Sequence, residues 1–187
     1  MKSRKFVVGV AGGSASGKTT FAGKLEQALS PLSVKVFHMD YYFKGDDERP
    51  KSPAPVGGKI YLDDNHPLSM DLPKLAEDLQ KYLEEGDAQV VIVEGLLTLW
   101  DEKILKILDL KLFVDCQADE RIVRRLRRNM SRGLTFDEIS DVYLDLVRYR
   151  HNEYVEPSRW RADFILNGSN PSDITLQMIV DWIRKNI

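Results

Sequence analysis

The 187-residue sequence predicts an α/β fold, a mostly parallel sheet covered by helices on both faces. Two observations predict it. Short apolar, β-branched runs alternate with longer segments of helical periodicity, and the runs are apolar on successive residues, as strands buried on both faces must be. The first run also leads straight into Gly12-Gly13-Ser14-Ala15-Ser16-Gly17-Lys18-Thr19, which spells the phosphate-binding loop G-x-x-x-x-G-K-[ST] in the strand–loop–helix context where that loop works.

In chain order, Phe6-Val7-Val8-Gly9-Val10-Ala11 reads as a buried strand, and residues 20–29 as the helix leaving the loop. The runs at 34–38, 90–94, 110–114 and 164–166 bring the strands to about five. Helices are expected near 71–85, 101–108, 118–131, 136–154 and 172–185. Thr135-Phe136-Asp137-Glu138 is a capping box for the fourth of these, and Asn170-Pro171 opens the last. Residues 44–67 hold four prolines and three glycines with little periodicity, so they read as a long loop or a small substrate-facing excursion.

This length is most simply one domain, 1–187, large enough to bury about 70% of its unfolded surface. Cys116 is the only cysteine, which excludes an internal disulfide and a Cys-rich metal site and suits a reducing cytosol. The N-terminus is basic, but the apolar run after it is short and ends in the glycine loop, unlike a signal peptide or a spanning helix. A cytoplasmic location is therefore the default. A net charge of −2 gives no electrostatic argument for nucleic-acid or membrane binding.

The loop carries the donor half of a reaction. Its glycines let the backbone curl until N–H groups face a β-phosphate, and the following helix adds partial positive charge. Lys18 would reach the β- and γ-phosphates, and Thr19 would offer a hydroxyl to Mg²⁺. In open parallel sheets ligands gather at the carboxyl ends of strands, which here are the loop, Asp40, Glu94 and Asp115. Asp40 is placed to orient an alcohol and take its proton; the alternative is a turn cap. Glu94 ends an apolar strand where a Mg²⁺-organising carboxylate belongs, or is a solvated strand-end acid; Asp115 reads mostly as a cap.

Arg121, Arg125, Arg128 and Arg132 fall on one helical stripe, with Ile122, Val123, Leu126 and Met130 opposite, on what reads as the core side. Like charges four apart repel, so an unpaired arginine stripe suits a polyphosphate, although a solvated face is the plainer alternative. An arginine-bearing lid over about 117–136 would neutralise charge in transfer and exclude water. Tyr41-Tyr42-Phe43 and Asp63-Asp64-Asn65-His66-Pro67 could contact an acceptor, or simply pack. The three histidines have no metal-ligand spacing.

Together these segments resemble the phosphoribulokinase and uridine kinase family of small-molecule kinases, over nearly the whole chain. Gly9 through Thr20 looks like the family's opening, and His38-Met39-Asp40-Tyr41-Tyr42-Phe43 like its aspartate–aromatic motif with the catalytic base. Asn65-His66-Pro67 resembles the segment beside the ribose, Val93-Glu94-Gly95 the Glu-Gly strand end, and the arginine run with Ser131-Arg132-Gly133 the lid. The resemblance implies a P-loop NTPase three-layer fold with a five-stranded parallel sheet and an arginine-bearing lid. It implies a kinase taking ATP and Mg²⁺, with Asp40, Lys18, Arg125, Arg128 and Arg132 catalytic, and residues Gly12 to Thr20 on the nucleotide. Thr19 and Glu94 would serve the metal, and Tyr42, Asp64, Asn65 and His66 the acceptor. Family members are often oligomers, which leaves room for a homo-oligomer.

Departures bear on the acceptor. Uridine kinases insert a base-reading β-hairpin before the Glu-Gly strand, whereas Tyr82-Leu83-Glu84-Glu85-Gly86-Asp87-Ala88-Gln89 runs directly into it here. Asn65 replaces the family's ribose-binding Asp, the lid is one residue shorter, and Leu134 and Val142 stand where Arg and Gln are usual. Nicotinamide riboside kinases also lack the hairpin and share the Asp40-to-Lys44 pattern. The expected activity is therefore ATP-dependent phosphorylation of a primary hydroxyl, most simply on a ribonucleoside, with a nicotinamide riboside-type or other metabolite kinase as the alternative. A nucleotide-dependent switch is the competing class, but neither an Asn-Lys-x-Asp nor an Asp-x-x-Gly signature is found.

Overall fold

The computed structural model describes residues 4–187; residues 1–3, part of the basic N-terminal run, lie outside them. In chain order the elements are β1 (Phe6–Gly12), α1 (Lys18–Ala28), β2 (Val34–His38), β3 (Lys51–Pro53), β4 (Ile60–Leu62), α2 (Leu72–Glu85) and β5 (Val90–Glu94). They continue as α3 (Glu102–Leu105), β6 (Leu110–Asp115), α4 (Ala118–Met130), α5 (Phe136–Val142), α6 (Arg148–Arg150), β7 (Phe164–Asn167) and α7 (Asp173–Lys185). Five strands form one sheet in the order β2-β5-β1-β6-β7, and every neighbouring pair is parallel.

The sheet separates two apolar cores, and the two-residue period of a strand decides which side chain enters which. Along β1, Phe6, Val8 and Val10 pack with Leu25 of α1 and with Ile179, Val180 and Ile183 of α7. Val7 and Ala11 point the other way, towards Leu75 and Leu79 of α2 and towards Leu97 and Leu99. Helices on both faces follow, because all seven β1 residues and all five β5 residues are buried.

Local signals set the helix ends. The Asp71 side chain accepts from Lys74 N at the start of α2, and Ser172 does the same for Thr175 N at the start of α7. Thr135 and Glu138 form the reciprocal capping box expected for α5. The rod that follows is one run of right-handed helical backbone from α5 to Val155, but Tyr143–Val147 and His151–Val155 are wound as π-helix on either side of α6.

Three expectations need correction. The helix expected over 101–108 is confined to α3, since the chain must turn to bring Asp109 to the start of the sheet, where its carboxylate accepts from Val7 N at 2.9 Å. The expected loop at 44–67 contains an antiparallel hairpin, β3 with β4. And α4 lies the other way round from the reading above: Arg121 is buried, while Val123 and Met130 are 44% and 49% exposed. The guanidinium face wins the inner position because it finds acceptors there, beginning with the Cys116 carbonyl, which Arg121 Nε reaches at 3.0 Å.

Candidate active site

The strand order places the glycine loop. β1 lies between β5 and β6, so the chain leaves its carboxyl end at the point where connections diverge to opposite sides of the sheet and open a crevice. Gly12 bends the chain there at φ 148°, and a Cβ would stand 2.5 Å from the Val114 carbonyl oxygen. Gly17 is left-handed, φ 99°, at the N-cap of α1. Ala15 also has positive φ, 64°, a conformation that costs a non-glycine residue about 1 kcal/mol or more and that clusters at ligand clamps. Lys18 and Ser16 are buried in the loop's interior.

Beneath the loop, Thr19 Oγ1 donates to Glu94 Oε2 at 3.1 Å, and the other Glu94 oxygen lies 2.7 Å from His38 Nδ1. Glu94 is 3% exposed, so it is not a solvated strand-end acid. Asp115, expected to cap a helix, instead pairs with Arg159 at 3.3 Å, and Gln117 stands at the N-cap of α4.

Above the loop lies a cavity of about 760 Å³. Ser14, Ala15, Gly17, Lys18, Thr19 and Thr20 form its floor. Asp40, Asp64 and Asn65 line it as well, with Phe43, Met70 and Leu96 as apolar lining, and so do Arg124, Arg125, Arg128 and Arg132. Arg125 Nη1 and Arg128 Nη2 converge on one hydroxyl, donating to Ser14 Oγ at 3.2 and 3.4 Å. Burial holds the Arg125 guanidinium below the usual arginine range, and neighbouring Arg128 lowers it further; burial and then Arg132 do the same to Arg128. Neither forms a direct ion pair among the described residues, and only the more distant Asp64 and Asp40 carboxylates pull Arg125 and Arg128 the other way. A second cavity, of about 200 Å³, flanks the loop and is lined by Ser16, Thr20, Phe21, Arg124, Gly168 and Leu176 among others.

The model of the phosphoribulokinase/uridine kinase family matches residues 58–175, more than half of the chain. The chain belongs to that family. A uridine kinase of Geobacillus kaustophilus is 33% identical to it over 207 aligned positions that cover 98% of this chain and 96% of the relative. Among solved structures, the phosphoribulokinase of Rhodobacter spheroides superposes with a TM-score of 0.66 at 16% identity, covering 90% of this chain and 74% of that one. A possible uridine kinase of Bacillus stearothermophilus gives 0.60 at 19% identity, covering 88% and 90%. These two are likenesses of fold, and the fold is that of the P-loop kinases. As a member of the phosphoribulokinase/uridine kinase family, the chain is a small-molecule kinase, a phosphotransferase acting on a hydroxyl group.

Not every expected site residue of this kinase reaches the large cavity. Tyr42 turns away: its hydroxyl donates to Asp78 of α2 at 3.0 Å, and burial, with Asp78, pushes it up to about 12. His66 Nδ1 accepts from Leu68 N at 3.1 Å, and its ring meets Tyr154 edge-on. Gly12 and Gly13 form the root of the loop rather than the floor. Sequence reasoning missed Arg49, which reaches Asp64 at 2.5 Å and stacks on Phe43, and Arg150, which binds Asp63 at 2.6 Å. It also missed Arg124, whose Nη1 donates to the Gly168 carbonyl at 3.0 Å beside the smaller cavity. The run of arginines hinted at Arg124, but nothing local pointed to Arg49 or Arg150.

Proposed function

We propose that this kinase transfers the γ-phosphoryl group of ATP to a primary hydroxyl of a ribonucleoside or a similar ribosyl compound, acting as one catalytic domain. One observation carries the reading: a phosphate-binding loop, the exposed Asp40 carboxylate and the guanidinium groups of Arg125, Arg128 and Arg132 line a single cavity. Lys18 and the loop N–H groups hold the phosphates. Asp40 orients the acceptor hydroxyl and takes its proton, while Arg125, Arg128 and Arg132 neutralise the transferring group. α4 and the turn after it act as the lid that keeps water from competing as acceptor. The smaller cavity beside Gly168 suits the adenine base, being concave and mostly apolar with a few polar groups.

Thr19 and Glu94 fit Mg²⁺, since they set a hydroxyl and a carboxylate oxygen side by side under the loop and this hard cation takes few protein ligands beside phosphate and water. Thr19 and Glu94 would hold it, and it would supply positive charge to offset that of the phosphates. On the acceptor side, Asp64 and Asn65 offer oxygen acceptors to sugar hydroxyls.

A second reading, a nicotinamide riboside-type acceptor, is favoured by the short link between α2 and β5. Only residues 86–89 lie between them, so no hairpin stands there to read a pyrimidine. ADP release measured against uridine, cytidine, nicotinamide riboside, other ribonucleosides, pantothenate and sugar phosphates tests both readings, with the Asp40→Asn protein as blank. The expected result is acceleration by at least one ribosyl compound. If no hydroxyl compound raises ADP release above the water background, the kinase reading gives way to a nucleotide switch.

A further inference from the structure

The hairpin found where a loop was expected does more than cover surface. Ala54 N donates to the Lys59 carbonyl at 2.8 Å and Asp63 N to the Pro50 carbonyl at 2.9 Å, so the β3–β4 ladder extends past both ends of the two strands. Along an extended chain alternate side chains share a face, which puts Lys59, Tyr61 and Asp63 together. All three end on the rod that follows α4. Lys59 Nζ lies 3.8 Å from Asp141 Oδ2, the Tyr61 hydroxyl donates to Asp145 Oδ2 at 2.6 Å, and Arg150 Nε donates to Asp63 Oδ2 at 2.6 Å.

The rod partners are four and five residues apart. A step of four keeps two side chains on one side of an α-helix, but a step of five carries the second about 140° away. The step of five, Asp145 to Arg150, runs out of the π-wound stretch Tyr143–Val147, where hydrogen bonds close over five residues and the two positions come back into line. The wide winding thus aligns Arg150 with the row begun by Asp141 and Asp145. The Lys59 rung is exposed on both sides and counts for little. The last rung joins a fully buried Asp63 to Arg150, which Glu153 holds from the other side at 2.6 Å.

We propose that this ladder positions the acceptor-binding segment, with Arg150 as its positioning residue, and ties that segment to the helix continuing from the arginine-bearing α4. The alternation that turns Asp63 towards the rod sends Asp64 to the large cavity, while Asp63 Oδ1 accepts from Asn65 N at 3.3 Å and fixes the next residue. The proposal rests on the reading that the Asp64–Asn65 end of that cavity takes the acceptor. Arg150 is not among the residues lining that cavity, and it governs the acceptor's affinity through Asp63.

The test compares Arg150→Gln and Tyr61→Phe with the wild-type chain, measuring kcat, KM for acceptor and for ATP, melting temperature, and amide hydrogen exchange over residues 59–66. Arg150→Gln is expected to raise acceptor KM about tenfold or more, to leave ATP KM within about twofold, and to speed exchange over 62–66. Tyr61→Phe removes only one hydroxyl, so the fold survives and acceptor KM rises about three- to fivefold at nearly unchanged melting temperature. Loss of melting temperature or kcat with acceptor KM unchanged in both variants would show a merely structural role and overturn the proposal. Unchanged exchange over 62–66 in Arg150→Gln would overturn it as well. Both results leave the kinase reading standing if wild-type turnover still depends on Asp40. A wild-type chain that phosphorylates no hydroxyl compound overturns the kinase reading, and the acceptor-positioning role falls with it whatever the exchange shows.

Discussion

Ser14 is the residue on which two guanidinium groups converge, and neither forms a direct ion pair among the described residues, although Asp64 pulls on Arg125 and Asp40 on Arg128 from farther off. Such an arrangement is stabilised once a phosphate occupies the space, so Arg128, the more exposed of the pair, is the informative one to remove. Arg128→Ala is expected to lower kcat about 10²–10³-fold with the fold intact, read by steady-state kinetics alongside the circular dichroism spectrum. A rate within a few-fold of wild type would remove Arg128 from the transfer. His151 serves differently. It packs under Gly13 with Nδ1 unpartnered and Nε2 3.4 Å from Glu156, and burial, then Arg121, pushes it down to about 4, against the pull of Glu156 and Asp115. Between about 6.5 and about 4 the unfolded chain binds a proton that the folded chain refuses, so stability is full above this window and falls as pH drops through it. From pH 7 to pH 5 this amounts to about 2 kcal/mol, and urea midpoints at the two pH values should differ less in His151→Gln than in wild type. Lys18, Thr19, Asp40 and Glu94 were legible because a motif or a strand end marks each of them. Arg150 was not, because its partner Asp63 is 87 residues away and only the folded chain brings the two together.

At the scale of elements, hydrophobic period shows which residues share a face of a helix but not which face the molecule covers. That is why α4 was legible as a helix and misread in orientation: arginine Nη and Nε groups found the Ser14 hydroxyl and the Cys116 and Gly168 carbonyls, while Val123 and Met130 stayed in solvent. The hairpin had a signal too. Gly57 and Gly58 both take positive φ, 84° and 68°, as a tight two-strand turn requires, but Pro53 and Pro55 masked the strand pattern beside them. The π stretches have no counterpart in composition or spacing. The capping box of α5 was readable from four letters, and its worth is measurable. Thr135→Ala should cost about 1 kcal/mol, or about 2–4 °C in melting temperature for a chain of this size. A calorimetric scan showing no change would mean that the rod is held by its packing alone.

At the scale of the whole molecule, the parallel sheet was legible because strands buried on both faces cannot hide their composition, and the loop after β1 had to fall where the strand order diverges. Two cores press on the sheet from opposite sides, so emptying either should loosen the platform under the loop. Leu112→Ala, at a fully buried position of β6 facing the core shared with α1 and α7, should cost about 2–5 kcal/mol in chemical denaturation. The central claim concerns how that platform is used: residues from the ends of β1 and β2 and from α4, far apart in sequence, act on one phosphoryl group. It is tested most directly by Asp40→Asn, with ATP affinity measured by calorimetric titration and turnover measured on the best acceptor. The account predicts ATP binding within about twofold of wild type and turnover reduced about 10²–10⁴-fold. A variant that keeps most of its rate would contradict it.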